Sequence, residues 1–256
     1  MSTNTALAIY GVITGLLVIS ATLWALWLGL KRAQVNASTR LQSWSTTAAI
    51  LVIWYLAFTI LGARGFFATP SKPTIPVLPI AVLLGVSLGI WYALRNTTRK
   101  AVAALPAAAL IAVQMYRVNG LIFLLYTVRG QLPVLFGLTA GIGDISVGLL
   151  AIVSARLLVT GHPSARRVAY LWNALGILDL TTALTIGFLS SPSPLQRFAF
   201  DHPNTLISTW PLVMIPIFVV PLSLVLHILS LWQLRQQHAT TTEHLSTPAP
   251  AVSHMH

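Results

Sequence analysis

Apolar residues run along this chain in blocks of about 20 to 30. Short stretches of Pro, Ser and basic residues divide them, as in ATPSKPTIP (68–76), RNTTRK (95–100) and SSPSPLQRF (190–198). A helix of about 20 residues crosses the hydrocarbon core of a bilayer, so seven spans are expected, at 6–30, 44–63, 75–94, 101–128, 132–155, 168–189 and 205–234. Helices are expected because lipid leaves every backbone polar group to be satisfied within the segment. The expected fold is an all-α membrane protein, a seven-helix bundle occupying residues 1–234. Residues 235–256, rich in Thr, Pro and His, read as a disordered cytoplasmic tail.

Composition agrees with that pattern. The chain is 56% hydrophobic and 7% charged, with a mean hydropathy of +0.81, where a soluble domain carries about a quarter charged residues. The absence of cysteine excludes disulfides, thiolate metal sites and a thiol nucleophile. The first apolar run is 25 residues long with no basic residue before it, which fits a first membrane helix and not a cleavable signal.

Net charge is +11, and its distribution reads as topology. Ten of the 15 basic residues fall between spans 1 and 2, 3 and 4, 5 and 6, or just after span 7. Four fall on the other side: Arg64, Lys72, Arg129 and Arg197. Basic residues accumulate in cytoplasmic loops, so the N-terminus is expected outside and the C-terminus in the cytoplasm. No basic cluster is interleaved with aromatics on a soluble face, which argues against nucleic acid as a partner. Trp24, Trp27, Trp44, Trp210 and Trp232 lie near span ends, where interfacial anchoring is expected.

The fifteenth basic residue, Arg117, falls inside span 4, and two of the four acidic residues, Asp144 and Asp179, fall inside spans 5 and 6. At about 1.5 Å per residue each lies 12 residues, roughly 18 Å, from an interface marked by Arg129, Leu132 and Arg167 respectively, so all three share a mid-membrane layer. His227 in span 7 lies somewhat closer to the cytoplasmic end. In span 5, Gly137, Gly141, Asp144, Gly148, Ala151 and Ala155 follow the spacing of one helix face, and small residues there let another helix come close. Asp144 is therefore expected to face a helix and not lipid. Span 6 places Gly176, Asp179 and Ala183 on one stripe with Asn173 beside it, and span 7 carries Ser223, His227 and Ser230. Pro211, Pro216 and Pro221 should interrupt span 7 and free carbonyls one turn earlier.

A lone charge at mid-bilayer costs at least about 2.5–3.5 kcal/mol, so Arg117 is expected to pair. Asp144 and Asp179 are both at its depth; Asp144, the nearer in sequence, is the expected partner, and Asp179 is the alternative. One arginine cannot neutralise two carboxylates, which makes Asp179 the expected carrier of an exchangeable proton. The candidate binding and proton-relay residues are thus Arg117, Asp144, Asp179, Asn173 and His227. No catalytic or metal-ligating set is identified, and no cofactor is implied. A bis-histidine haem would need a second intramembrane histidine, and His162 and His202 fall in loops. His238, His244, His254 and His256 of the tail read as part of a disordered segment.

Seven spans with an outside N-terminus invite comparison with rhodopsins, but Lys31, Lys72 and Lys100 are the only lysines and none lies in the last span. Two segments, RVNGLIFLLYTVRGQLPVLFGLTAGIGD (117–144) and WPLVMIPIFVVPLSLVLHILSLWQL (210–234), resemble an uncharacterised group of bacterial integral membrane proteins. That group is marked by an Arg-containing helix, an LP-x-x-F…AG-x-GD segment and an IP-x-F-x-VPL…LH-x-x-SL final helix. Thr139 stands where the group has proline. The resemblance implies a bacterial inner membrane and carries no function. The expected function is a transporter or permease for a small solute, coupled to protons. The alternative is a sensor or assembly protein in which the Arg/Asp layer only fixes helix packing. The lipid bilayer is the expected partner, with a homo-oligomer through the small-residue faces as a further one. An enzyme comes third, for want of an HExxH-type motif or a supportable Ser/His/Asp set.

Overall fold

Long exposed faces of Leu, Ile, Val and Trp surround a polar interior. Leu16, Ile53, Leu83, Trp91, Leu135 and Leu178 point outward, while Gln114, Arg117, Asn173, Ser223, His227 and Gln233 are buried. This inversion of the soluble pattern is what a lipid environment selects, since lipid accepts apolar side chains and rejects polar ones. The computed structural model describes residues 3–68 and 77–246. Among the described residues all regular structure is helical: α1 (Thr3–Arg32), α2 (Ala37–Ala63), α3 (Val77–Ala93), α4 (Asn96–Ala104), α5 (Ala107–Val113), α6 (Leu121–Val128), α7 (Val134–Val159), α8 (Ala165–Ser190) and α9 (Val220–Ser246). A 3₁₀ segment, Gln114–Gly120, joins α5 to α6, and a π-helical turn, Ile215–Val219, leads into α9. Six helical stretches are long and apolar enough to cross a membrane, and the bent pair α3–α4 makes a seventh if counted as one span.

Local chemistry sets most boundaries. Asn36 caps α2 by accepting from the Thr39 backbone N–H at 2.8 Å, which starts that helix seven residues before the apolar run at 44. Gly130 and Gly161 adopt φ of +64° and +65° after α6 and α7. Each allows the following residue to bond back to the last turn, Gln131 to Tyr126 O at 2.9 Å and His162 to Leu157 O at 3.0 Å.

The fourth span departs from the expected single helix over 101–128. Helix begins earlier, within RNTTRK, as α4, which is bent by 80° from α3. It stops at Leu105, where ψ is 149°, because Pro106 disfavours helical backbone in the residue before it. The carbonyls left at this break are taken by Gln233 of α9, whose Nε2 donates to Val102 O at 2.7 Å and Leu105 O at 2.5 Å. α4 is amphipathic: Ala101 and Val102 are buried, and Arg99 and Lys100 are exposed.

The seventh span also differs. Regular helix does not start at 205; a 3₁₀ turn at Leu206–Ser208 and irregular backbone precede the π turn at Ile215. Pro211, Pro216 and Pro221 supply no N–H, so the ladder cannot close through them. Pro221 frees Ile217 O, which instead accepts from Trp54 Nε1 of α2 at 3.3 Å. α9 then continues past 234 to Ser246. Residues 247–256 of the expected tail, with His254 and His256, lie outside the described residues, as do Lys72 and the first two residues of the expected third span.

α9 runs through the middle of the bundle, against α3, α4, α5 and α8. α7 packs on α8, α5, α6 and the 3₁₀ segment. Near the ends of α1 and α2, Trp27 meets Trp44 edge-on at 6.2 Å, and the Arg40 guanidinium lies 5.1 Å from the Trp27 ring.

Candidate functional site

Arg117 reaches the centre through a change of helical pitch. With three residues per turn, positions i and i+3 eclipse one another, so Gln114, Arg117 and Gly120 form a single row, and all three are buried. Each is anchored separately. Gln114 Nε2 donates to Ser223 O at 3.2 Å, Arg117 enters the ionic cluster, and Gly120 lies directly against Asp144 Cβ. Tyr116 flanks the row. Its hydroxyl is 2.5 Å from Ser223 Oγ, and since Ser223 donates its own proton to Val219 O at 2.8 Å, Tyr116 is the donor.

The Arg117 guanidinium joins three helices. Nε donates to Asp144 Oδ1 of α7 at 2.8 Å, and Nη2 lies 2.8 Å from the same oxygen. Nη2 also donates to Asp179 Oδ2 of α8 in a short ion pair. Nη1 faces Gly176 O at 3.5 Å and His227 Nε2 of α9 at 3.2 Å. Both carboxylates pair with the arginine, so Asp179 is not left without a cation as charge counting leads one to expect, and all three guanidinium nitrogens meet acceptors.

Because arginine can only donate, Nε2 of His227 must be the acceptor, which places the ring proton on Nδ1. Nδ1–H then donates to Asn173 Oδ1 at 3.0 Å, while Asn173 Nδ2 donates to Ala169 O at 2.9 Å and Ser230 Oγ at 3.0 Å. One direction of donation thus runs from Arg117 through His227 and Asn173 to Ser230. Trp172 closes the side of the histidine, with ring centroids 4.7 Å apart, and is itself fixed by donation from Nε1 to Val147 O at 2.9 Å.

Glycines make room for this layer. A Cβ at Gly176 would overlap the His227 imidazole, and one at Gly143 would overlap the Asp179 carboxylate. The small-residue face of α7 receives the 3₁₀ segment and α6: Gly148 faces the Val118 backbone and Gly141 faces Leu124.

Exposure separates the two carboxylates. The Arg117 side chain is 2% exposed, Asp179 8% and Asp144 19%. Asp144 lines a pocket of about 60 Å³ between α1, the 3₁₀ segment, α7 and the start of α9, together with Tyr10, Thr14, Tyr116, Asn119 and Ser223. That is room for a few waters. Asp144 accepts through Oδ1, and among the described residues its Oδ2 has no hydrogen-bond donor.

The structure brings together all five sequence candidates, Arg117, Asp144, Asp179, Asn173 and His227, in one connected layer. Sequence reasoning missed Gly143, Gly120, Tyr116 and Trp172. Gly143 falls off the four-and-three stripe on which Asp144 was read, and its only signal is adjacency to that aspartate. Tyr116 and Gly120 depend on a pitch that α-helical spacing does not anticipate.

A family model described as a domain of unknown function (DUF8737) matches residues 73–235, which contain every residue of this layer and both of the segments quoted above. No curated protein and no solved structure matches the chain.

Proposed function

We propose that the chain, which belongs to that family of unknown function, is a proton-coupled transporter of a small solute. The observation that supports this reading is one guanidinium held between two carboxylates, one of which borders a pocket. With both aspartates ionised the cluster carries a net charge of −1 inside the bundle, a state that uptake of one proton neutralises. Asp179, the more enclosed carboxylate, carries the exchangeable proton, and Asp144 meets the solute at the pocket. All three guanidinium nitrogens of Arg117 are engaged, so it holds the two carboxylates and is not free to bind a third anion. His227 can take a proton at Nε2 only after Arg117 Nη1 leaves that nitrogen. Proton movement toward Asn173 and Ser230 is therefore tied to displacement of the arginine.

The full satisfaction of Arg117 also favours a second reading, in which the cluster only locks the 3₁₀ segment, α7, α8 and α9 together. The two part at Asp179→Asn, which preserves side-chain shape and hydrogen bonding but cannot exchange a proton. Purified protein in liposomes loaded with a pH-sensitive dye, given guanidinium, urea or glycine outside, reports proton movement that accompanies solute entry. The transport reading expects Asp179→Asn to fold normally and abolish that signal. A well-folded Asp179→Asn protein with full proton-linked flux would remove Asp179 from the mechanism, and no flux from the unmodified protein would favour the locking role.

A further inference from the structure

A larger cleft lies away from the ionic layer, between α1, α2, α3, α4 and α9, with a volume of about 180 Å³. Its wall is mostly hydrocarbon, and most of its few polar groups are already engaged. Thr22 donates to Val18 O at 2.8 Å, Thr47 and Tyr92 share a hydrogen bond of 2.7 Å, and Trp54 donates to Ile217 O. A polar solute finds few partners here, whereas an alkyl chain packs against most of the wall.

The chemistry reverses at one edge of the cleft. α4 turns its Thr98, Ala101 and Val102 side to the cavity and leaves Arg99 and Lys100 exposed on the other. Arg95, just before α4, stacks at 5.5 Å on the ring of Tyr92, a residue of the cleft wall. Lys31, Arg32 and Arg40, at the adjoining ends of α1 and α2, add three more cations to these three. No acidic residue precedes Asp144 in the chain, so none on α1 to α4 offsets them. An apolar slot that opens beside this cluster of cations fits an amphiphile with a hydrocarbon tail and an anionic head.

We propose that this cleft binds an anionic phospholipid, with one acyl chain between α1, α2, α3 and α9 and its phosphate against Arg95, Arg99 and Lys100. α4 is bent across the bundle so that one short helix supplies both the floor for the chain and the charge for the head.

Native mass spectrometry of the full-length protein in detergent, titrated with phosphatidylglycerol or phosphatidylcholine of matched chains, tests this. One phosphatidylglycerol should bind in preference to phosphatidylcholine, and soluble glycerol phosphate should not displace it. Arg95→Ala with Arg99→Ala should weaken binding about 30-fold, at about five-fold per cation. Ile50→Trp alters a lipid-exposed residue at the cleft and leaves every cation in place, so it tests the chain separately. It should abolish tight binding while thermal unfolding stays unchanged. Equal binding of the two lipids, or displacement by glycerol phosphate, would overturn the proposal with no variant needed. Unaltered binding by a folded Ile50→Trp protein would place the lipid outside the cleft.

Discussion

Arg117→Met is the perturbation to which the ionic layer should be most sensitive. The substitution keeps an unbranched side chain of similar length and removes every N–H. Asp144 and Asp179 then face each other without a cation, and the cluster moves from a net charge of −1 to −2. Gly176 O and His227 Nε2 also lose their donor. Breaking a buried ion pair from one side costs about 3–5 kcal/mol. At roughly 2–4 °C per kcal/mol for a chain of this size, the midpoint of thermal unfolding should fall by about 6–20 °C. Asp144→Asn and Asp179→Asn act in the opposite sense. Each takes the layer to net zero, leaves Arg117 one carboxylate, and keeps an acceptor oxygen in place, so each should shift stability by less than about 1 kcal/mol. The triple variant Arg117→Met/Asp144→Asn/Asp179→Asn should recover much of what Arg117→Met loses, a non-additivity that marks direct coupling. Thermal unfolding of the four variants and the unmodified protein in one detergent, followed by circular dichroism, measures the series. If Arg117→Met unfolds with the unmodified protein, or if either asparagine variant is as damaged as Arg117→Met, the three-body ionic account is wrong.

The tautomer of His227 follows from the same geometry. Nitrogen-15 spectra of the labelled protein should show Nδ1 protonated and Nε2 bare, and Asn173→Leu, which removes the acceptor for Nδ1–H, should shift that signature while Asn173→Asp retains it. Membrane orientation rests on the ten-to-four basic asymmetry, and the cysteine-free chain makes it easy to read. His162→Cys should label from the cytoplasmic side only and Ser193→Cys from the outside only, and labelling of both from one side would refute the seven-span count.

Depth was legible in the sequence throughout, and azimuth only where the helix is unbroken. Ionisable residues are so rare in spanning segments that Arg117, Asp144 and Asp179 identify themselves, and a fixed rise per residue puts them at one height. Which side chains meet also depends on rotation about each helix axis, and that requires an unbroken helical phase. For α7 the phase holds: the Gly137, Gly141, Asp144, Gly148 face does receive a neighbouring segment. Around Arg117 it fails. A 3₁₀ turn advances about 120° per residue against about 100° in an α-helix, so the seven residues of Gln114–Gly120 rotate α6 by roughly 140° relative to a continuous helix. The break before it was written in the chain as Pro106, yet a long apolar run on both sides hid it. The pitch change itself has no comparable signal. It is held in place by three partners in other parts of the fold: Ser223 O for Gln114, the two aspartates for Arg117, and the Asp144 Cβ for Gly120. Two of those three anchors involve the carboxylates that Arg117 pairs with. The conformation that presents the arginine therefore depends on the ion pairs the arginine makes, so a change in the charge of Asp144 or Asp179 acts on the pitch of the segment as well as on the pair.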